Sequence, residues 1–237
     1  LSFCKNADEV DVEKTDGIIA VGRFLSAELE KMKQLGIQVL FVDSNPDPHE
    51  FNSIQPNLQM MVETAIEYFV QAGYQKIGFI GGRSWDSTEG RHVLRDTRTR
   101  CFESRARELG LFNQNYVFIG DNFSVDSGYQ VGREIVGKIR DDLPQAFLVA
   151  SDPLAVGVLQ AFNENRLTVP EDVSMISIND IDIAKYVSPP LTTFRIDTEE
   201  LGKVAIETLR NLIVSPKKSK RMILLDADLV FRKSFVI

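Results

Sequence analysis

Cysteine and histidine are scarce in this chain, and their scarcity closes off several kinds of chemistry. Two cysteines, Cys4 and Cys101, and two histidines, His49 and His92, are spread over 237 residues. No pair of them has the spacing of a zinc site, so no metal centre is expected. The two distant thiols read as reduced cysteines rather than as one long-range disulfide, which points to the cytoplasm. Long apolar runs are missing too: none approaches the ~20 residues of a membrane span, so no membrane contact is expected. The opening residues, Leu1-Ser2-Phe3-Cys4-Lys5-Asn6, show no basic stretch followed by a long apolar one, and hence no secretory leader. Positive charge is in deficit, 27 Lys and Arg against 34 Asp and Glu for a net charge of -7. Nucleic-acid binding is driven by cations that displace counterions, so any contact with DNA has to come from other residues. Nor is there a nucleophile elbow, a P-loop or a dinucleotide fingerprint. The nearest candidate, Gly78-Phe79-Ile80-Gly81-Gly82, lacks the glycine spacing and the helix start.

What is present is the composition of a globular protein, 43% hydrophobic and 26% charged, long enough for one domain or two small ones. Apolar runs at 17–21 and 38–42 read as strands around a helix that opens at Ser26 and stops at Gly36. Leu58, Met61, Val62, Ala65, Ile66, Phe69 and Val70 fall on one face of a helix that Gly73 ends. Strand-like runs follow at 76–80, 116–119, 146–150 and 173–178. Helices are expected around Phe102–Leu109, Val131–Ile139 and from Pro153 to about Asn165, with Asp152 as N-cap and Pro153 in the first helical position. After the Pro189-Pro190 corner, Asp197 caps a last helix with Glu200 placed to close a capping box, and the tail from Met222 to Phe231 is strand-like. Strands alternating with helices predict a doubly wound α/β fold with parallel sheets. The basic turn Lys217-Lys218-Ser219-Lys220-Arg221 reads as a solvated loop.

In such a fold the residues just past the carboxyl ends of the strands converge on one crevice. They are Asp43 and Ser44, Gly81-Gly82, Phe123, Ser151-Asp152 and Asn179-Asp180, joined by Arg98 from the stretch that leads into the Phe102 helix. A hydroxyl, carboxylates, an amide, a guanidinium fork and an aromatic ring make the mixture that a sugar needs: hydroxyls pair with the polar groups and the apolar sugar face packs on the ring. Plainer readings stand beside this one. Asp152 works as a helix cap, Asn179-Asp180 as a turn pair, Arg98 as one of a solvated run of arginines and Phe123 as core. Asp152 and Asp180 could also serve as the paired carboxylates of a glycoside hydrolase, although nothing in the sequence separates their roles. Binding without chemistry, and without a cofactor, fits the residues better.

At these residues the chain resembles the effector-binding core of the lactose/galactose repressor (LacI/GalR) family of bacterial transcription regulators. The resemblance is carried by Asp16-Gly17-Ile18-Ile19, Gly73-Tyr74-Gln75-Lys76-Ile77-Gly78-Phe79-Ile80-Gly81-Gly82, Ser151-Asp152 with Ala155 and Gly157, Pro170-Glu171-Asp172-Val173-Ser174, and Pro189-Pro190-Leu191-Thr192-Thr193 followed by Leu201-Gly202. It implies two subdomains of periplasmic-binding-protein type I joined by three crossovers with the ligand between them. The first would hold residues 1 to about 55 and 196–215, the second 56–195 and 216–237. It also implies sugar contacts from Arg98, Phe123, Ser151 and Asn179, to which the strand-end positions add Asp43 and Asp152 as ligand-binding candidates, together with a homodimer and operator DNA bound through an N-terminal helix-turn-helix that these residues do not include. Two departures stand out: Cys101 replaces the usual glycine and Asn179 replaces an aspartate. Ser177-Ile178-Asn179-Asp180-Ile181 is similar to the galactose-type branch, which makes a galactoside the expected effector. A periplasmic sugar-binding protein of a transporter, which shares the fold, is the alternative.

Overall fold

The computed structural model describes residues 2–86, 91–93, 96–216 and 218–236. The chain separates into two compact units, Leu1–Asn57 with Trp85–His92 and Asp197–Leu225, and Leu58–Ser84 with Val93–Ile196 and Asp226–Ile237.

Unit 1 is built on four parallel strands in the order β1 (Gly17–Val21), β2 (Gln38–Val42), β3 (Asn52–Pro56) and β11 (Met222–Leu225). Two helices, α1 (Ser26–Gln34) and α6 (Thr198–Val214), accompany it. Phe41 sits at its centre, edge-on to Phe24 and tilted against Phe51. Strand β3 was not foreseen, because Asn-Ser-Ile-Gln-Pro is polar and ends in proline. Its Asn52 and Ser53 are nonetheless buried, and the Asn52 side chain accepts a hydrogen bond from the Arg221 backbone at 2.9 Å. That pairing also corrects the expected subdomain boundary. Residues 216–225 fall in unit 1, because Met222–Leu225 pair in parallel with Ser53–Pro56. The strand-like tail is thus two strands in two sheets, since β12 (Asp228–Val230) belongs to unit 2.

Unit 2 holds a six-stranded sheet in the order β12, β10 (Thr192–Arg195), β9 (Ser174–Asn179), β8 (Ala146–Val149), β4 (Ile77–Gly82), β7 (Val117–Gly120). All neighbours are parallel except the edge strand β12. Helix α2 (Leu58–Gln71) leads into β4 and buries the predicted stripe of Met61, Val62, Ala65, Ile66 and Phe69. The remaining helices are α3 (Thr97–Glu108), α4 (Val125–Ile139) and α5 (Asp152–Glu164). Helix α3 begins five residues before Phe102, so Arg98 lies in its first turn. Two short strands, β5 (Ser84–Asp86) and β6 (Arg91–Val93), form a separate two-stranded sheet.

Counted along the chain, the parallel strands of unit 2 run in the order 2-1-3-4-5. The direction of winding therefore reverses between β4 and β8, and in doubly wound folds ligands bind at the carboxyl ends of the strands at such a point. Close backbone approach packs the helices beside it. A Cβ on Gly157 would come 2.0 Å from the Val125 carbonyl, and one on Gly128 2.1 Å from that of Leu154, so α4 and α5 touch along their first turns only because both residues are glycine.

Candidate functional site

Arg98 is the best-braced of the predicted side chains. Asp96, the N-cap of α3, divides its carboxylate: Oδ1 accepts from the Thr99 backbone N–H at 3.1 Å and Oδ2 accepts from Arg98 Nε at 2.8 Å and from Nη2. Arg98 Nη1 donates to the Ala150 carbonyl at 2.8 Å, directly past β8. The guanidinium carbon stands 4.4 Å from the centre of the Phe123 ring, a cation–π contact. Arg98 thereby ties the start of α3 to the end of β8 and to the loop after β7. A guanidinium has five N–H donors. Three are used, and two have no partner among the described residues.

Phe123 arrives on the loop after β7. Gly82 admits that loop, since a Cβ there would meet the Asn122 carbonyl at 2.4 Å and the Phe123 ring at 3.2 Å. The ring is partly buried and packs against the edge of the core. Ser151 holds the N-cap position of α5 in extended backbone, yet its hydroxyl makes no capping bond. Its Oγ is buried and has no partner among the described residues. Burying an unpaired hydroxyl costs free energy, which sets Ser151 apart from the paired polar groups around it.

Asp152 does not cap its helix, which corrects the plain reading of Asp152-Pro153: it is the first helical residue and is completely buried. Oδ1 accepts from Ser177 Oγ at 2.6 Å and Thr193 Oγ1 at 2.7 Å, and Oδ2 from the Ile181 backbone at 2.8 Å. Burial pushes its pKa above the ordinary carboxylate range, while the three donors oppose the shift. Asp152 therefore holds β9, β10 and the turn between them in place, and its oxygens are spent within the protein.

Asn179 ends β9 with φ +119° and Asp180 follows with φ +54°. Both lie in the left-handed region that Asn and Asp tolerate better than most residues. The Asn179 side chain is partly exposed and makes no hydrogen bond among the described residues. Asp180 turns inward to 2% side-chain exposure and accepts from Arg195 Nε at 2.7 Å and Arg232 Nη2 at 2.6 Å. Against the upward push of burial, the two guanidiniums hold its pKa below the ordinary range. Engaged in this way, neither Asp152 nor Asp180 can serve a reacting glycoside, which removes the geometric basis of the hydrolase reading. Asp43 stands apart, in unit 1, exposed at the end of β2 with φ +63° and its backbone N–H bound to the Ile54 carbonyl.

Three residues escaped the sequence reading. Asp96 carried a signal, an Asp directly ahead of a helical Thr, that a helix started too late concealed. Arg195 and Arg232 carried none, since their partner Asp180 is distant along the chain. Among the described residues, no helix is long and apolar enough to cross a membrane and no cluster of potential metal ligands occurs.

Residues 66–235 match the family model described as "Periplasmic binding protein-like domain". The HTH-type transcriptional regulator GanR of Bacillus subtilis (strain 168) is 40% identical over 222 residues, covering 94% of this chain and 67% of GanR. LacR of Lactobacillus helveticus is 41% identical over 223 residues, covering 93% of this chain and 65% of LacR. The chain thus spans about two thirds of the length of these relatives, which are regulators rather than enzymes. Two solved structures share its fold: a LacI-family regulatory protein from Chloroflexus aggregans, with a TM-score of 0.80 at 20% identity over 98% of this chain and 83% of that one, and the transcriptional regulator CelR in its cellobiose complex, with 0.78 at 21% over 94% and 67%. The matching family model, the curated relatives and the parallel sheets together place the chain in the LacI family of transcriptional regulators, as a stretch that carries its periplasmic binding protein-like domain.

Proposed function

We propose that this chain is the effector-binding core of a sugar-responsive transcriptional regulator of the cytoplasm, which lowers or raises operator affinity when a sugar binds. The observation that supports it is the group formed by Arg98, Phe123 and Ser151: two open guanidinium N–H groups, a partly exposed ring and a buried unpaired hydroxyl at one switch point. Vicinal hydroxyls match the fixed fork of the guanidinium, and the C–H face of a pyranose matches the ring. Asn179, with an amide that both donates and accepts, adds a further hydroxyl partner at the neighbouring strand end, and Asp43 is the corresponding candidate in unit 1. The galactose-type resemblance of residues 177–181 makes a galactoside the effector of choice. DNA would be read by a helix-turn-helix outside these residues in a homodimer, with the sugar acting as inducer. Sugar can change operator affinity only by its own differential affinity for two conformations, typically ~1–3 kcal/mol.

Calorimetric titration with galactose, lactose, galactobiose, cellobiose and ribose tests the reading. One galactoside should bind saturably, and Arg98→Ala should weaken it by about 100-fold, as expected for the loss of charge-assisted hydrogen bonds. Equal binding by wild type and Arg98→Ala would remove Arg98 from the site, and a monomer on a sizing column would remove the dimer.

A further inference from the structure

We infer that Asp96 is a positioning and specificity-determining residue for the effector: it fixes the Arg98 fork and cancels its charge, so that the site presents hydrogen-bond donors to an uncharged sugar rather than a cation to a phosphorylated one. The inference rests on the sugar-binding role proposed for Arg98.

The geometry separates two jobs of one carboxylate. Oδ1 serves α3 by accepting from the Thr99 backbone and, at 3.3 Å, from Thr99 Oγ1. Oδ2 serves Arg98 alone, by accepting from both Nε and Nη2. The ion pair is shielded from solvent, with 13% exposure of the Arg98 side chain and 5% of that of Asp96. At such depth a guanidinium without its counterion would present a nearly unscreened positive charge to the cleft. It would also lose the partner that selects its rotamer, since the Ala150 carbonyl touches only Nη1. With Asp96 in place, two N–H groups project at a fixed angle and carry no net charge. That arrangement favours hydroxyl pairs and gives a phosphate no excess attraction. Among the described residues, the other guanidiniums at these strand ends are paired as well, Arg195 and Arg232 with Asp180 and Arg83 with Asp121.

Asp96→Asn divides the two jobs. Asparagine caps a helix about as well as aspartate, so Thr99 keeps its acceptor, while an amide NH2 facing Arg98 cannot accept from it. Wild type, Asp96→Asn, Asp96→Ser and Arg98→Ala are titrated with galactose, lactose, galactose 6-phosphate and lactose 6-phosphate, and each is melted. Wild type should prefer the neutral sugars. Asp96→Asn should melt close to wild type, bind the neutral sugar about 10- to 100-fold more weakly, and shift the ratio of phosphorylated to neutral affinity by about 10-fold toward the phosphorylated sugar. Asp96→Ser, which also caps, should behave alike. A merely structural Asp96 would weaken both sugars equally, and an unchanged ratio overturns the inference. So does a wild type that prefers the phosphorylated sugar, or failure of both capping variants to fold. If Arg98→Ala loses the sugar while Asp96→Asn binds as wild type, only this inference falls. If Arg98→Ala binds as wild type, or no sugar binds at all, the site assignment falls first and takes this inference with it.

Discussion

In unit 2 every residue of β4 and β8 is buried, whereas in unit 1 β1 buries one residue of five and β11 none. A strand buried along its whole length has both faces covered, so its side chains alternate between two apolar layers and its sequence is an unbroken hydrophobic run. The difference bears on the site. Ser151 stands past β8, which is buried along its whole length, and Arg98, in the first turn of α3, is held by Asp96, by the Ala150 carbonyl past β8 and by the Phe123 ring past β7. Asp43 extends from a sheet with a smaller core around Phe41, and it is exposed. A guanidinium that must hold its angle belongs on the first kind of support.

The sharpest way to break this contrast is to hollow both cores. Phe147 is fully buried and its ring lies where a Cβ of Gly78 would come within 2.3 Å, so Phe147→Ala should leave a cavity that cannot close and cost about 3–5 kcal/mol in urea unfolding. Phe41→Ala, beside the partly buried Phe24, should fall at or below the low end of about 3 kcal/mol because its surroundings can relax. Equal losses would mean that the two units are supported alike.

A smaller effect sharpens the polar side of the contrast, since unit 2 holds two buried carboxylates with opposite pKa shifts. Asp180 is lowered from 3.8, so the stability that it contributes is present above 3.8 and lost as pH falls through its folded value. Asp152 is raised from 3.8, so its contribution is largest below 3.8 and is lost as pH rises toward its folded value. Asp180→Asn should cost about 2–3 kcal/mol at neutral pH, less than a fully buried pair because Arg195 is half exposed, and should flatten the acid limb of the stability curve. Asp152→Asn should remove the decline just above pH 3.8. An acid limb that Asp180→Asn leaves unchanged would assign the clamp no part in holding the Asn179 turn.

The smallest change is expected on the outside of unit 1. Lys203 and Glu199 pair across one helical turn of α6 with side chains 61% and 81% exposed, and Lys203→Ala should shift thermal unfolding by less than about 0.5 kcal/mol. A larger loss would show that unit 1 depends on its surface more than on its core.

Where burial imposes a period, the sequence was readable. The stripe of α2, the apolar runs of β4, β8 and β9 and the Asp197 cap, whose side chain accepts from the Glu200 backbone at 2.9 Å, all lie close to where periodicity and capping rules put them. Strands β3 and β10 were hidden because Asn, Ser and Thr are buried there by pairing across the sheet, a relation that no local window contains. The same limit governs the site. Ser151 could be named from its position at a strand end and Arg98 from the polar stretch that leads into a helix, but the division of the Asp96 carboxylate and the spending of Asp152 on Ser177, Thr193 and Ile181 depend on neighbours that only folding brings together.

The Asp180 clamp has a consequence for the order of events during synthesis. Arg232 follows Asp180 by 52 residues, while Arg195 follows it by 15. As the chain leaves the ribosome, the carboxylate can meet its first guanidinium early but must stay hydrated until the second has cleared the exit tunnel. The turn that carries Asn179 therefore locks only once β12 has been delivered to the sheet edge. That turn is among the last parts of unit 2 to be completed, and a nascent chain stalled before residue 232 should lack the second half of the clamp.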